Sequence, residues 1–214
     1  MTSLTRIVLN TSHRAVRADL TDANSLHKTL MRLAPDGLGP NPRATAGLLF
    51  RLENGTDPVL LVQTADHPDL TALPDQYGTA QTRDLTPLFQ ALTPGLTVRY
   101  RITAAPTAAR SDGTPTRHPI TGKRRGKTTP LTGQDATAWW QRRATTAGLD
   151  TTTCWATPRP FPRKDRTQPG PYYALTQFEG LARITDTHLL TNALQTGIGK
   201  GKSYGAGLLS LAPA

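Results

Sequence analysis

The chain closes on TGIGKGKSYGAGLLSLAPA, residues 196–214, and two folds compete for that stretch. A nucleotide-triphosphate loop, GxxxxGK[ST], matches at Gly201-Lys202-Ser203 but puts Thr196 where its first glycine belongs. Only eleven residues follow Ser203, too few for the further strands and metal-binding carboxylate of such a fold. The order is also reversed. Asp186 to Thr196 reads as a helix and Gly205 to Leu211 as a strand, so the loop leads from helix to strand. What remains is a glycine-rich turn. Gly197 and Gly199 suit a helix-ending turn. Five glycines with Lys200 and Lys202 exceed that need and fit close approach to a phosphodiester backbone.

Outward from this turn, the same rhythm of elements occurs twice. Leu4 to Leu9 reads as a strand, and Asp22 caps a helix running to about Ala34, with Leu26, Leu30 and Leu33 at helical spacing. Leu48–Leu52 and Val59–Gln63 form a hairpin around Glu53–Pro58. A polar segment follows, and the second helix of this unit is only weakly signalled. Leu96 to Ile102 then alternates as a strand. Arg110 to Pro130 reads as a basic loop, Asp135 to Ala147 as a helix, and Thr151–Trp155 with Tyr172–Ile184 as paired strands. Strand-helix-strand-strand-helix-strand is the ferredoxin-like order. The expected class is therefore α+β, two tandem ferredoxin-like domains spanning 1–92 and 93–214. Trp139, Trp140 and Trp155 are expected in the core.

Composition narrows the partner. The 214 residues carry 25 Lys+Arg against 15 Asp+Glu, a net charge of +10. Such an excess points to a polyanion, with a host-composition effect as the alternative. The single cysteine, Cys154, excludes an intrachain disulfide and a cysteine-based zinc site. The first residues lack the apolar run of a signal peptide, and no run reaches membrane-spanning length. A soluble, cytoplasmic protein without membrane attachment is expected. The densest basic clusters are Lys123, Arg124, Arg125 and Lys127, and then Arg159, Arg163, Lys164 and Arg166. With Lys28, Lys200 and Lys202 they are the expected contacts to that polyanion.

GIGKGKSYGAGLLSLAP resembles the C-terminal signature of the RAMP superfamily, most closely the CasE family of CRISPR repeat-processing endoribonucleases. LTRIVLN, SLHKTLMRL, LLFRLE, VLLVQT, VRYRITAAPT, GKRRGKTTPL, DATAWWQRRATTAGL and QFEGLARITD resemble their counterparts in the same order. The resemblance covers nearly the whole chain and implies the tandem ferredoxin-like fold. It also implies a metal-independent endoribonuclease, without cofactor, that cuts CRISPR precursor RNA at the 3′ base of the repeat stem-loop. Members of the family retain the crRNA and join the other subunits of the type I-E Cascade complex.

Metal-free cleavage uses the ribose 2′-hydroxyl on the adjacent phosphate and leaves a 5′-hydroxyl and a 2′,3′-cyclic phosphate. One proton is removed, one is delivered, and the phosphorane charge is compensated. By resemblance His27 is the catalytic histidine, and the helical wheel puts it at the edge of the Leu26/Leu30/Leu33 face. His13 is the runner-up. His118 is expected near RNA or solvent, and His67 and His188 in loop and cap positions. Arg32 matches a basic position of some relatives and is expected to stabilise the phosphorane. Relatives with a catalytic tyrosine carry it three residues before the histidine, where this chain has Asn24. Two rival functions stay open: a non-catalytic hairpin-binding subunit, and a general RNA-binding assembly protein. The latter lacks the aromatic run of RNA-recognition sheets.

Overall fold

The computed structural model describes residues 1–109, 128–163 and 172–214, and the backbone of two short strands at 116–117 and 124–125. It is a mixed α+β protein built on two antiparallel sheets.

The first half contains β1 (Ser3–Leu9), α1 (Arg14–Thr21), α2 (Ala23–Met31), α3 (Pro42–Thr45), β2 (Leu49–Glu53), β3 (Val59–Thr64), β4 (Gly78–Asp84) and α4 (Thr86–Ala91). Its sheet runs β2-β3-β1-β4. β1 lies between β3 and β4, with Thr5 opposite Val62 on one side and Thr82 on the other. The alternate residues Ser3, Thr5, Ile7 and Leu9 are buried, the period-two pattern of a strand with one covered face. α2 covers that face with Leu26, Leu30 and Leu33, which join Phe50, Leu60 and Val62 in one core.

Asp22 caps α2 by accepting the amides of Asn24 and Ser25. The helix closes at Met31, a turn short of the expected Ala34, yet Leu33 is buried all the same. α1 was not expected. Its buried Asp19 carboxylate accepts hydrogen bonds from Ser25 Oγ (2.6 Å) and Tyr77 Oη (2.8 Å). One buried anion thus fastens α1 and the start of α2 to the strand entry at β4. The loss of solvent, and then the Asp19 carboxylate, push the Tyr77 phenol well above its usual range. Between β3 and β4 the weakly signalled helix is replaced by a single 3₁₀ turn, Leu70–Ala72.

The second half contains β5 (Thr97–Ala104), β6 (Thr107–Ala109), β7 (Thr116–Arg117), β8 (Arg124–Arg125), β9 (Thr128–Pro130), α5 (Gly133–Thr146), β10 (Leu149–Thr151), β11 (Trp155–Arg159), β12 (Leu175–Ile184), α6 (Thr187–Thr196) and β13 (Leu209–Pro213). Its sheet runs β10-β12-β5-β13, and β11 continues the β10 edge along β12. α5 and α6 cover it, and Trp140 stacks on Phe178 at 5.7 Å. Trp139 and Trp140 are core residues as expected, but Trp155 is 61% exposed. It stands on β11, whose residues are mostly solvent-facing because that strand is the sheet's edge. The stretch read as one basic loop carries paired strands instead. β6 pairs with β9 and β7 with β8, so backbone ladders organise part of it without any apolar signal.

The two sheets are tied through β2. Arg51 is 3% exposed and donates to the carbonyls of Arg101 and Leu208 and to Ser210 Oγ, at 3.0–3.1 Å, and to Glu53 at 2.7 Å. Gln63 Nε2 donates to the Leu194 carbonyl at 2.8 Å, near the C-terminal end of α6. At Gly197 a Cβ would lie 2.7 Å from Leu49 Cδ2, and the residue has φ +75°. Only glycine allows the closing turn to pass that close to β2. No helix among the described residues is long and apolar enough to cross a membrane.

Candidate active site

The glycine-rich turn packs against α2, so the two ends of the chain meet. All five of its glycines take positive φ. They fold the backbone into a 3₁₀ turn, Lys202–Tyr204, between left-handed Gly201 and Gly205. The Tyr204 ring stands 6.3 Å from the His27 ring, tilted by 50°. Behind it lie Tyr173 at 5.6 Å and Phe161 at 5.9 Å. The α2 start is held from the same side, because the Ala23 amide donates to the Pro162 carbonyl at 3.1 Å. α2 is therefore clamped between its own sheet and two segments of the other half.

His27 is half-buried, as its place on the wheel predicted. Its Nδ1 is buried and has no hydrogen-bond partner among the described residues. Burial, and then the Arg43 guanidinium, hold the imidazole below the ordinary histidine pKa. It is neutral at pH 7 and able to accept a proton. Arg43, in α3, is itself pinned by donating to the Leu48 carbonyl at 2.9 Å. Burial and the same guanidinium lower the pKa of the Lys202 ammonium. Two cations held near one another form a cradle for an anion.

Beside Tyr204 opens a groove of about 840 Å³, lined by α1, the N-terminal half of α2, the β2–β3 turn and residues 159–163. Arg159, Arg163 and Tyr204 contribute to its wall. Two of the expected RNA contacts therefore reach one concave surface with the closing turn. Lys28 and Lys200 are exposed, and Lys202 is half-buried. Arg32 is exposed at the C-cap of α2, about 140° around the helix from His27 by the helical repeat. The guanidinium that bears on His27 is that of Arg43. Arg124 and Arg125 form β8, and Lys123, Lys127, Lys164, Arg166 and His118 lie outside the described residues. His13 occupies the N-cap of α1, and His67 Nδ1 lies 3.2 Å from the Pro68 carbonyl. His188 is exposed in the first turn of α6.

Sequence reasoning missed Arg43, Tyr173 and Phe161, and passed over Tyr204 within a motif it had quoted. Arg43 carries no local signal. Tyr204 carries one: it is the sole aromatic residue of the closing stretch, with glycines on either side.

Comparison with known proteins places this geometry. The family model described as CRISPR associated protein matches residues 3–213. The CRISPR-associated endoribonuclease Cse3 of Thermus thermophilus is 32% identical, over 98% of this chain and 99% of its own length. The CRISPR system Cascade subunit CasE of Escherichia coli is 30% identical over 92% of this chain and 95% of its own. A solved structure of Thermus thermophilus Cse3, bound to an RNA representing a pre-cleavage complex, superposes with a TM-score of 0.74 at 30% identity. That match covers 99% of each chain. The ordered motifs, the closing glycine turn and the end-to-end correspondence agree: this chain belongs to the Cse3/CasE family of CRISPR-associated endoribonucleases.

Proposed function

We propose that this chain is the metal-independent endoribonuclease that cuts CRISPR precursor RNA at the 3′ base of the repeat stem-loop. It then keeps the mature crRNA and joins other Cascade subunits. The observation that carries this is His27: an imidazole whose pKa burial and Arg43 hold low, at the seam where both halves of the molecule meet, with the same Arg43 bearing on Lys202. In this reading His27 removes the 2′-hydroxyl proton. The 2′-oxygen attacks the adjacent phosphorus, and the products are a 5′-hydroxyl and a 2′,3′-cyclic phosphate. Arg43 and Lys202 offset the phosphorane charge, with Arg32 a further phosphate contact from the exposed end of α2. Lys28, Arg159, Arg163, Lys200 and the basic arm with Lys123, Arg124, Arg125 and Lys127 grip the stem, as do Lys164 and Arg166.

The architecture is read as two tandem ferredoxin-like units, residues 1–92 and 93–214. The strand orders β2-β3-β1-β4 and β10-β12-β5-β13 support this. Each places the first and third strands of its unit at the centre.

The test is incubation of the protein with its cognate repeat RNA in EDTA. Cleavage that persists under chelation and disappears in His27→Ala, with affinity kept, is the expected result. Asn24, which cannot exchange a proton, favours one rival, a hairpin-binding subunit without activity. Tight binding with no cleavage by the unmutated protein would establish it. Equal affinity for a scrambled, unstructured RNA would instead mark a general RNA binder.

A further inference from the structure

Transesterification by the 2′-hydroxyl needs a proton acceptor at the nucleophile and a proton donor at the 5′-oxygen. His27 supplies one. On its own helix the residue one turn earlier is Asn24, which supplies neither. The aromatic ring facing His27 comes from across the interface: Tyr204, at 6.3 Å. The two are neighbours without a hydrogen bond between them. Side chains that serve opposite oxygens of one phosphodiester, each at about 3 Å from its own oxygen, must stand apart in this way.

Resting on the endoribonuclease reading above, we propose that Tyr204 is the second catalytic residue, its phenol protonating the departing 5′-oxygen while His27 takes the 2′-hydroxyl proton. The O2′–P bond forms and the P–O5′ bond breaks. The phenol proton leaves with the 5′-hydroxyl, and the resulting phenolate and imidazolium regain their starting forms through solvent. The ring is built to hold one position. Tyr173 and Phe161 pack behind it, and left-handed glycines bracket its turn on both sides. Burial, and then Tyr173 and the Asp22 carboxylate, raise the phenol's pKa, so it stays protonated. The neighbouring imidazole is pushed the opposite way by burial and Arg43. Groups whose environments separate their pKa values in this manner divide acid and base work between them.

Tyr204→Phe keeps the ring and its packing and removes only the hydroxyl. In single-turnover cleavage the expected loss is on the order of 10²-fold, with RNA affinity unchanged. A second substrate carries sulfur in place of the scissile 5′-oxygen, a leaving group that departs without protonation. On it Tyr204→Phe is expected to match the unmutated protein, while His27→Ala stays defective because the nucleophile still needs its base. An unimpaired Tyr204→Phe on the oxygen substrate overturns the inference, as does an equal defect on both substrates. An unmutated protein that binds but never cleaves overturns the nuclease reading along with it.

Discussion

At the scale of single residues, the decisive fact about His27 is its charge state. A general base works once deprotonated, so the rate of cleavage should rise with pH through the imidazole's pKa. That pKa is depressed by burial and by Arg43, and the acid limb is therefore expected below the ordinary histidine value of about 6.5. The groups that bear on the ring are Arg43 from α3 and Tyr204 from the closing turn, and Arg43 in turn bears on Lys202. Arg43→Met removes one cause of the depression and is expected to move the limb upward, while weakening phosphorane stabilisation and so the plateau rate. A pH–rate profile of single-turnover cleavage reads both effects, and a limb that does not move would show that the guanidinium leaves the imidazole alone. The histidine itself was legible in the sequence through the family resemblance of SLHKTLMRL, with the helical repeat placing it at the rim of an apolar face. Arg43 was not, because sixteen residues of chain separate it from His27 and only the fold closes that gap.

At the scale of elements, the site depends on how tightly the closing turn is drawn against β2 and α2. Gly197→Ala would bring a methyl to within 2.7 Å of Leu49 Cδ2 at a backbone conformation that favours glycine. Overpacking of this kind costs roughly 1–3 kcal/mol, so a lowered denaturant midpoint and slower cleavage are expected together. Unchanged stability would mean that β2 and the turn are not in contact. Arg51→Met tests the same seam from the other side. It strips the donor from the Leu208 and Arg101 carbonyls and from Ser210, an expected loss of about 1–3 kcal/mol measured by chemical unfolding. Several elements were plain in the sequence: α2, α5 and α6 with their apolar faces, and the β2–β3 hairpin. α1 and β4 were not. α1 is eight residues long, and its short apolar face of Val16 and Leu20 is joined by a buried carboxylate that no periodic pattern marks. β4, GTAQTRD, is mostly exposed and owes its strand conformation to the backbone ladder with β1. No local pattern announces an edge strand that buries neither face.

At the scale of the whole molecule, the excess of positive charge should be visible as counterion release. If about five phosphates are neutralised, log K for repeat RNA should fall against log salt with a slope of roughly −3.5 to −4.5. A nearly flat dependence would argue against a grip on the backbone. The sequence by itself determined the α+β class and the family, and it pointed to a polyanionic partner and to a candidate histidine. Net charge, periodicity and short motifs are written locally along the chain, and each can be read without knowing what lies opposite. Tertiary structure alone decided which groups surround that histidine. The seam between the sheets brings Arg43 and Tyr204 to one imidazole, though Tyr204 lies 177 residues away in the chain. Proton transfer and charge compensation act over a few ångströms of space, and the spacing of residues along a polymer does not encode that distance until the chain has folded.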